Sequence, residues 1–143
     1  MHIDETELKR LVLDSGLVSK KDVEESSRFA QENNKSLGQV LVERGVITED
    51  EFRRLQSYIL GIPFVDLKNQ KLDIEVLSLI PEPIARNHNI VAFKRTGETL
   101  EVAMLDTEDM TAIDFAKKKA GLKILPRLTD AESMKWALLS YQK

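Results

Sequence analysis

The chain contains no cysteine. That excludes a disulfide framework, a thiolate zinc site and a cysteine nucleophile. Histidine is almost as scarce: His2 and His88 stand far apart, and His2 is expected at a frayed terminus, so no histidine-rich metal site is expected. The six glycines fall at Gly16, Gly38, Gly45, Gly61, Gly97 and Gly121. None precedes Lys-Ser or Lys-Thr at the offset of a phosphate loop, and neither G-x-G-x-x-G nor G-x-S-x-G occurs. No apolar run approaches the length of a membrane span, and the opening MHIDETELKR is not a signal peptide. A cytoplasmic location without membrane insertion is the expectation. An excess of basic residues is missing as well: 21 Lys and Arg against 24 Asp and Glu give a net charge of −3. That balance argues against nucleic acid as a partner, because a sequence-independent grip needs a basic face. No catalytic residue, metal or cofactor is expected.

What remains is the composition of a folded domain, 42% apolar and 31% charged over 143 residues. The length suits one domain or two small subdomains. The first 60 residues lack proline and carry apolar residues at three- and four-residue spacings, as in Leu8, Leu11 and Val12. All four prolines (Pro63, Pro81, Pro83 and Pro126) and all strand-like runs lie beyond Gly61. Charge divides in the same place: residues 1–60 hold 9 basic and 12 acidic residues, and residues 61–143 hold 12 of each. The reading is an α+β chain with a helical subdomain over 1–60 and an α+β subdomain over 61–143.

Sliding the first half on itself by 29 residues reveals a repeat. Leu8 falls on Leu37, Val12 on Leu41, Gly16 on Gly45, Val18 on Ile47, Ser19 on Thr48 and Val23 on Phe52. Each copy reads as helix, turn, helix, giving two tandem helix-turn-helix units. Gly16 and Gly45 stop the first helix in the left-handed conformation that costs glycine nothing. Ser19 and Thr48 cap the next helix, with Asp22 or Glu51 three residues on as the partner of a capping box. The pairs Leu17-Val18 and Val46-Ile47 are expected to tuck the turns against the core. A lone helix pair cannot bury its apolar face, so the copies are expected to pack together.

The second half reads as about three strands packed with helices. Short helices are predicted at 73–80 and 83–87, a hairpin of strands 90–94 and 99–105, and a helix from Asp109 to Ala120 ended by Gly121. Met110, Ile113, Phe115 and Ala116 form the expected apolar side of that helix. A third strand at 122–128 completes a crossover unit, and Thr129 or Asp130 caps a last helix carrying Met134, Trp136, Ala137 and Leu138.

The polar candidates are few. His88 has no triad context and reads as structural or solvated. Asp106, Glu108 and Asp109 read as capping a helix start rather than holding a metal. Lys117, Lys118 and Lys119 complement the dipole of a helix end, and offer a partner's acidic patch as the alternative. Trp136 is an anchor of the fold or an interface residue.

The segments from Ser36 to Thr48, Leu60-Gly61-Ile62-Pro63-Phe64-Val65-Asp66-Leu67, Leu79-Ile80-Pro81-Glu82-Pro83-Ile84-Ala85 and Val102-Ala103-Met104-Leu105-Asp106 together resemble the N-terminal domain of type II secretion and type IV pilus assembly ATPases. The resemblance runs from about residue 5 to residue 140. It implies a non-catalytic docking and regulatory domain that ties the ATPase to the cytoplasmic part of an inner-membrane assembly protein. The motor is expected downstream, since 143 residues are about complete for docking and far too few for the motor. Location would then be cytoplasmic, peripheral at the inner membrane through that partner. Lys117, Lys118, Lys119 and Trp136 are the candidate interface.

One branch of the family binds cyclic di-GMP through paired repeats of the form R-L-G-x-x-L, a glycine, leucines and a closing glutamine. Here the arginine positions hold Glu7 and Ser36, and the glutamine positions hold Ala30 and Ile59. The first R-L-G glycine is Lys9 and the second survives as Gly38. What persists is Leu8, Val12, Gly16, Leu37, Gly38, Leu41 and Gly45, a degenerate ligand motif. Stacking on a base is worth about 1–3 kcal/mol, so loss of both arginines points to loss of binding. A DNA-binding helix-turn-helix is a third reading. The helix starts Lys-Lys-Asp-Val-Glu-Glu and Glu-Asp-Glu-Phe-Arg-Arg count against it, because their carboxylates repel phosphate.

Overall fold

The helices of the first half begin where a short polar side chain accepts from free backbone N–H groups. The computed structural model describes residues 4–142, so His2 lies outside the described residues. Two compact units are present, one ending at Gly61 and the other beginning at Ile62.

In the first unit Asp4 caps α1 (Glu5–Ser15), Ser19 caps α2 (Lys20–Glu32), Ser36 caps α3 (Leu37–Glu43) and Thr48 caps α4 (Glu49–Leu60). The two copies of the repeat differ at one cap. Thr48 and Glu51 form the full reciprocal box, at 2.8 and 3.0 Å. Ser19 makes only the forward bond, to the Asp22 N–H at 3.1 Å. Asp22 is one methylene shorter than Glu51, and that methylene is what a reciprocal bond needs. Gly16 and Gly45 adopt φ of 73° and 71°, as a helix-ending left-handed residue requires. One core joins both copies: Leu8 and Val12 of α1, Val23 of α2, Leu37 and Leu41 of α3, Leu55 of α4, and the turn residues Val18 and Ile47. Of the turn pairs only Val18 and Ile47 are buried. Leu17 is 49% exposed, because consecutive residues in a tight turn point to opposite sides.

The second unit is a three-stranded sheet in the order β1-β2-β3, from Ile90–Thr96, Thr99–Met104 and Lys123–Leu128. β1 and β2 form the hairpin, with Gly97 at φ 60° in the first of two turn positions. β2 and β3 run parallel, joined through α7 (Met110–Ala120). Short α5 (Ile74–Leu77), α6 (Glu82–His88) and α8 (Ala131–Leu139) complete the layer. The core gathers Leu77, Ile80, Ile90, Val91, Leu100, Val102, Met104, Ala112, Ala116 and Met134.

Three features of this second unit depart from the sequence expectations. The helix predicted at 73–80 stops at Leu77, after which the Leu79 and Ile80 N–H groups bond only three residues back. Pro81 pushes Ile80 out of helical conformation. On α7 the small residues Ala112 and Ala116 face the core, while Met110 and Phe115 are 60% and 41% exposed. Alanines let the helix lie close on the sheet, which turns the larger apolar residues outward.

The third departure is at the sheet edge. The Val65 N–H donates to the Leu128 carbonyl at 2.9 Å, and the Leu128 N–H donates to the Pro63 carbonyl at 3.0 Å. Residues 63–65 thus extend the sheet beside β3, with Phe64 paired in parallel to Leu128. Leu128 sends both its backbone groups outward, so by alternation Pro126 faces outward too. Its missing N–H therefore leaves no gap toward β2.

The 3₁₀ turn Ser140–Gln142 fixes the end of the described chain. The Tyr141 hydroxyl donates toward the Ile80 carbonyl at 2.7 Å and the Leu77 carbonyl at 3.0 Å. Burial, then the nearby Glu82 carboxylate, pushes its pKa far above the ordinary 10.0. The folded phenol stays neutral where the unfolded one ionises. Its stabilising contribution is therefore complete below about pH 10 and is lost as pH rises through the alkaline range. Absorbance titration should find Tyr141 resisting ionisation until the chain unfolds. Tyr141→Phe should remove that alkaline dependence and cost about 1 kcal/mol at neutral pH.

Candidate functional site

Leu8, Val12, Leu37 and Leu41 are core residues closed to solvent. Gly16 and Gly45 have nothing near a hypothetical Cβ, so their requirement is conformational. Gly38 differs: a Cβ there would lie 2.2 Å from Cζ of Phe52, whose ring from α4 rests on the α3 backbone. Gly38→Ala gains about 1 kcal/mol of helix propensity and loses about 1–3 kcal/mol to overpacking. A net loss of about 1 kcal/mol is expected. In a Phe52→Leu background the same change should be neutral or stabilising, and denaturant melts of the four proteins check the cycle.

A cavity of about 340 Å³ reaches one of these residues, Leu37, and is lined also by Glu5, Thr6, Lys9, Ser27, Ala30, Gln31 and Lys35. Its cations are engaged. Lys9 pairs with Glu24 at 3.3 Å and Lys35 with Glu43 at 3.1 Å, which holds the Glu43 carboxyl below its usual pKa. Glu5 Oε2 accepts from the Leu37 N–H at 3.0 Å, placing a carboxylate against the first turn of α3. Glu7 and Ser36, at the arginine positions, are exposed; Ala30 and Ile59, at the glutamine positions, serve the core. Neither an aromatic nor an arginine side chain lines the cavity, so it offers no plane to stack on a base.

In the second unit Trp136 borders a groove of about 680 Å³ formed with Asn69, Gln70, Lys71, Leu72, Asp73, Ile74 and Ser140. Its indole N–H donates to the Gln70 carbonyl at 2.8 Å, which pins the ring. Lys117, Lys118 and Lys119 are exposed in the last turn of α7, and none of them lines this groove. The helix end at Lys117 to Lys119 and the Trp136 groove are thus two separate candidate surfaces.

The remaining polar candidates have structural partners. Asp106 accepts from the Glu108 N–H, and Asp109 accepts from the Ala112 N–H. Among the described residues no cluster of acidic or histidine side chains could hold a metal. His88 Nδ1 lies 3.8 Å from Asp109 Oδ2, and its ring tilts against Phe115 at 5.4 Å. No helix among the described residues is long and apolar enough to cross a membrane.

One network escaped the sequence reading. Ser133, fully buried, accepts from the Leu67 N–H at 3.0 Å and donates to Asp66 at 3.2 Å. Asp130 caps α8 through the Ser133 N–H at 2.7 Å and faces Lys68 at 3.7 Å. Lys68 also reaches Glu132 and Asp66, and its pKa is raised by the Glu132 hydrogen bond first and the Asp130 charge next. Thr129 Oγ1 donates to the Val65 carbonyl. These contacts rivet the 63–68 segment to the start of α8. The only sequence trace was the Asp130-x-x-Ser133 cap spacing.

A family model described as the MshEN domain matches residues 60–143. The chain is 28% identical over 134 residues to the type IV pilus assembly ATPase PilB of Myxococcus xanthus, covering 94% of this chain and 24% of that protein. It is 25% identical over 141 residues to PilB of Thermus thermophilus, covering 97% and 16%. The chain thus spans about a quarter or less of the length of these curated relatives. Among solved structures, MshE with cdg superposes with a TM-score of 0.70 at 24% identity, covering 94% of this chain and 97% of that one. The N-terminal domain of XpsE superposes at 0.59 and 19% identity, covering 99% and 97%. At these identities the likeness is one of fold, and it carries the α+β arrangement described above.

Proposed function

The chain belongs to the MshEN domain family, and on that footing we propose that it is a non-catalytic docking and regulatory domain of a type II secretion or type IV pilus assembly ATPase. The observation that supports this most is the match to two pilus assembly ATPases along nearly all of this chain and only a small part of theirs. A domain of this kind works by presenting a surface. Its partners would be the cytoplasmic part of an inner-membrane platform protein and, within a longer chain, its own ATPase domain. That makes it a cytoplasmic domain, peripheral at the inner membrane through a protein. The exposed lysines 117–119 and the Trp136 groove are the surfaces available for docking. Pull-down with the cytoplasmic segments of platform proteins from the same organism tests the reading. Capture by one of them is expected, and capture by none would sink it.

Cyclic di-GMP regulation is the second reading, favoured by the shared fold with the structure of MshE with cdg. The engaged lysines, Glu5 at the first turn of α3 and the absent arginines oppose it. Isothermal calorimetry is expected to detect no binding of cyclic di-GMP. A dissociation constant in the micromolar range or tighter would reverse this assignment.

A further inference from the structure

One end of the sheet in the second unit carries cations drawn from three elements. Lys123 opens β3 opposite Thr99, and its N–H donates to the Glu98 carbonyl at 2.9 Å. That places it at the β1–β2 hairpin tip, where Lys94 and Arg95 stand opposite Glu101 and Leu100. The last turn of α7, with Lys117, Lys118 and Lys119, precedes Lys123 by only a few residues and closes at Gly121, so it lies at the same end. Among the described residues, none of Lys117, Lys118, Lys119 and Lys123 has an ion pair. The carboxylates nearby are Glu98, Asp114 on α7, and Glu101, which Arg127 engages at 3.1 Å and Lys94 at 4.0 Å. A chain of net charge −3 thus concentrates six cations against three carboxylates at one end of one unit.

We propose that this basic end, Lys117 to Lys119 with Lys123, Lys94 and Arg95, docks an acidic segment of a partner protein. The inference rests on the docking reading and names the chemistry of what docks. A membrane surface fits less well, because binding there pairs basic residues with apolar side chains that insert. The exposed large apolar residues of this unit are Ile74, Met110, Phe115 and Leu139. On α7, Met110 sits in the opposite turn and Phe115 is held against His88. A second copy of this chain also fits less well. The acidic start of α4 is already used: Glu51 closes the capping box, and Glu49 and Asp50 pair with Arg53. Acidic segments need no preformed groove, since unpaired lysines on mobile stems adapt to them.

The test measures fluorescence anisotropy of a labelled polyglutamate peptide at about 0.01 M salt, where screening reaches only beyond roughly 30 Å. Two charge reversals probe different elements, Lys118→Glu with Lys119→Glu, and Arg95→Glu with Lys123→Glu. Lys20→Glu with Lys21→Glu is the control of equal net charge. Each probe pair should weaken binding about tenfold, a change of about 1.4 kcal/mol, and the control less than about twofold. Because the second pair lies off the helix, unfolding of α7 cannot decide the result. Equal loss in the control overturns the proposal. So does binding to phosphatidylglycerol vesicles in place of the peptide, or low-salt self-association in sedimentation that the peptide does not compete away. Platform capture that survives both probe pairs, with no peptide binding, overturns this proposal and leaves the docking reading standing. Peptide binding at this end without platform capture does the reverse.

Discussion

Leu41→Ala is expected to cost the helical unit about 3–5 kcal/mol. Leu41 is fully buried in the core shared by both repeat copies. Its carbonyl also accepts from the Val46 N–H at 2.9 Å and the Ile47 N–H at 3.3 Å, so the side chain and the turn behind it hold each other in place. A folded unit of this size has a stability of about 3–9 kcal/mol, from roughly 0.05–0.15 kcal/mol per residue. The substitution therefore removes at least about a third of it. Hydrogen exchange should show the amides of α1 to α4 losing protection, and far-UV circular dichroism should show lost helix. Leu13→Ala, on the exposed side of α1, should change stability by no more than about 0.5 kcal/mol. The comparison bears on function. Loss of any binding in a Leu8 or Leu41 variant would report unfolding, because both side chains are closed to solvent.

The second large effect belongs to Ser133→Ala, at about 2–3 kcal/mol. Deleting this hydroxyl strands the Leu67 N–H and removes a donor from the Asp66 carboxylate. A buried donor left without a partner costs about 1–3 kcal/mol, more than the bond itself contributes. Trp136 lies on the same helix, and its indole is pinned to Gln70 just beyond the affected segment. Tryptophan fluorescence in a denaturant melt should report the loss as a lower midpoint with an unchanged slope. A changed slope would mean that the segment around Leu67 had come loose in the native state.

The elements that sequence made legible are those whose causes are local. Caps at Ser19, Thr48 and Asp130, the turn glycines Gly16 and Gly45, and the hairpin at Gly97 all act within a few residues, and all appear where expected. The parallel pairing of β2 with β3 followed from the crossover through α7. What stayed hidden depends on partners far away in the chain. Pro63-Phe64-Val65 has no period to mark it as a strand, and becomes one only because Leu128 offers two backbone groups. Glu5 at the start of α3 and Phe52 against Gly38 are likewise contacts between elements. Met110 and Phe115 lie exposed because the close approach of α7 selects small residues for its buried face, so apolar type alone does not predict burial there. At the candidate site the sequence named the missing arginines. The engagement of Lys9 and Lys35 by Glu24 and Glu43 required coordinates.

The edge contact of residues 63–65 also sets an order of events during synthesis. Val65 and Thr129, bonded in the folded chain, are 64 residues apart. At about 5–20 residues per second a ribosome needs roughly 3–13 s to make the intervening chain. Through that interval Pro63-Phe64-Val65 has emerged without the backbone partners that Leu128 supplies, while the residues of the core shared by the four helices have all been made. Completion of the sheet edge waits for the last strand, so this contact can form only after nearly all of the second unit has been synthesised.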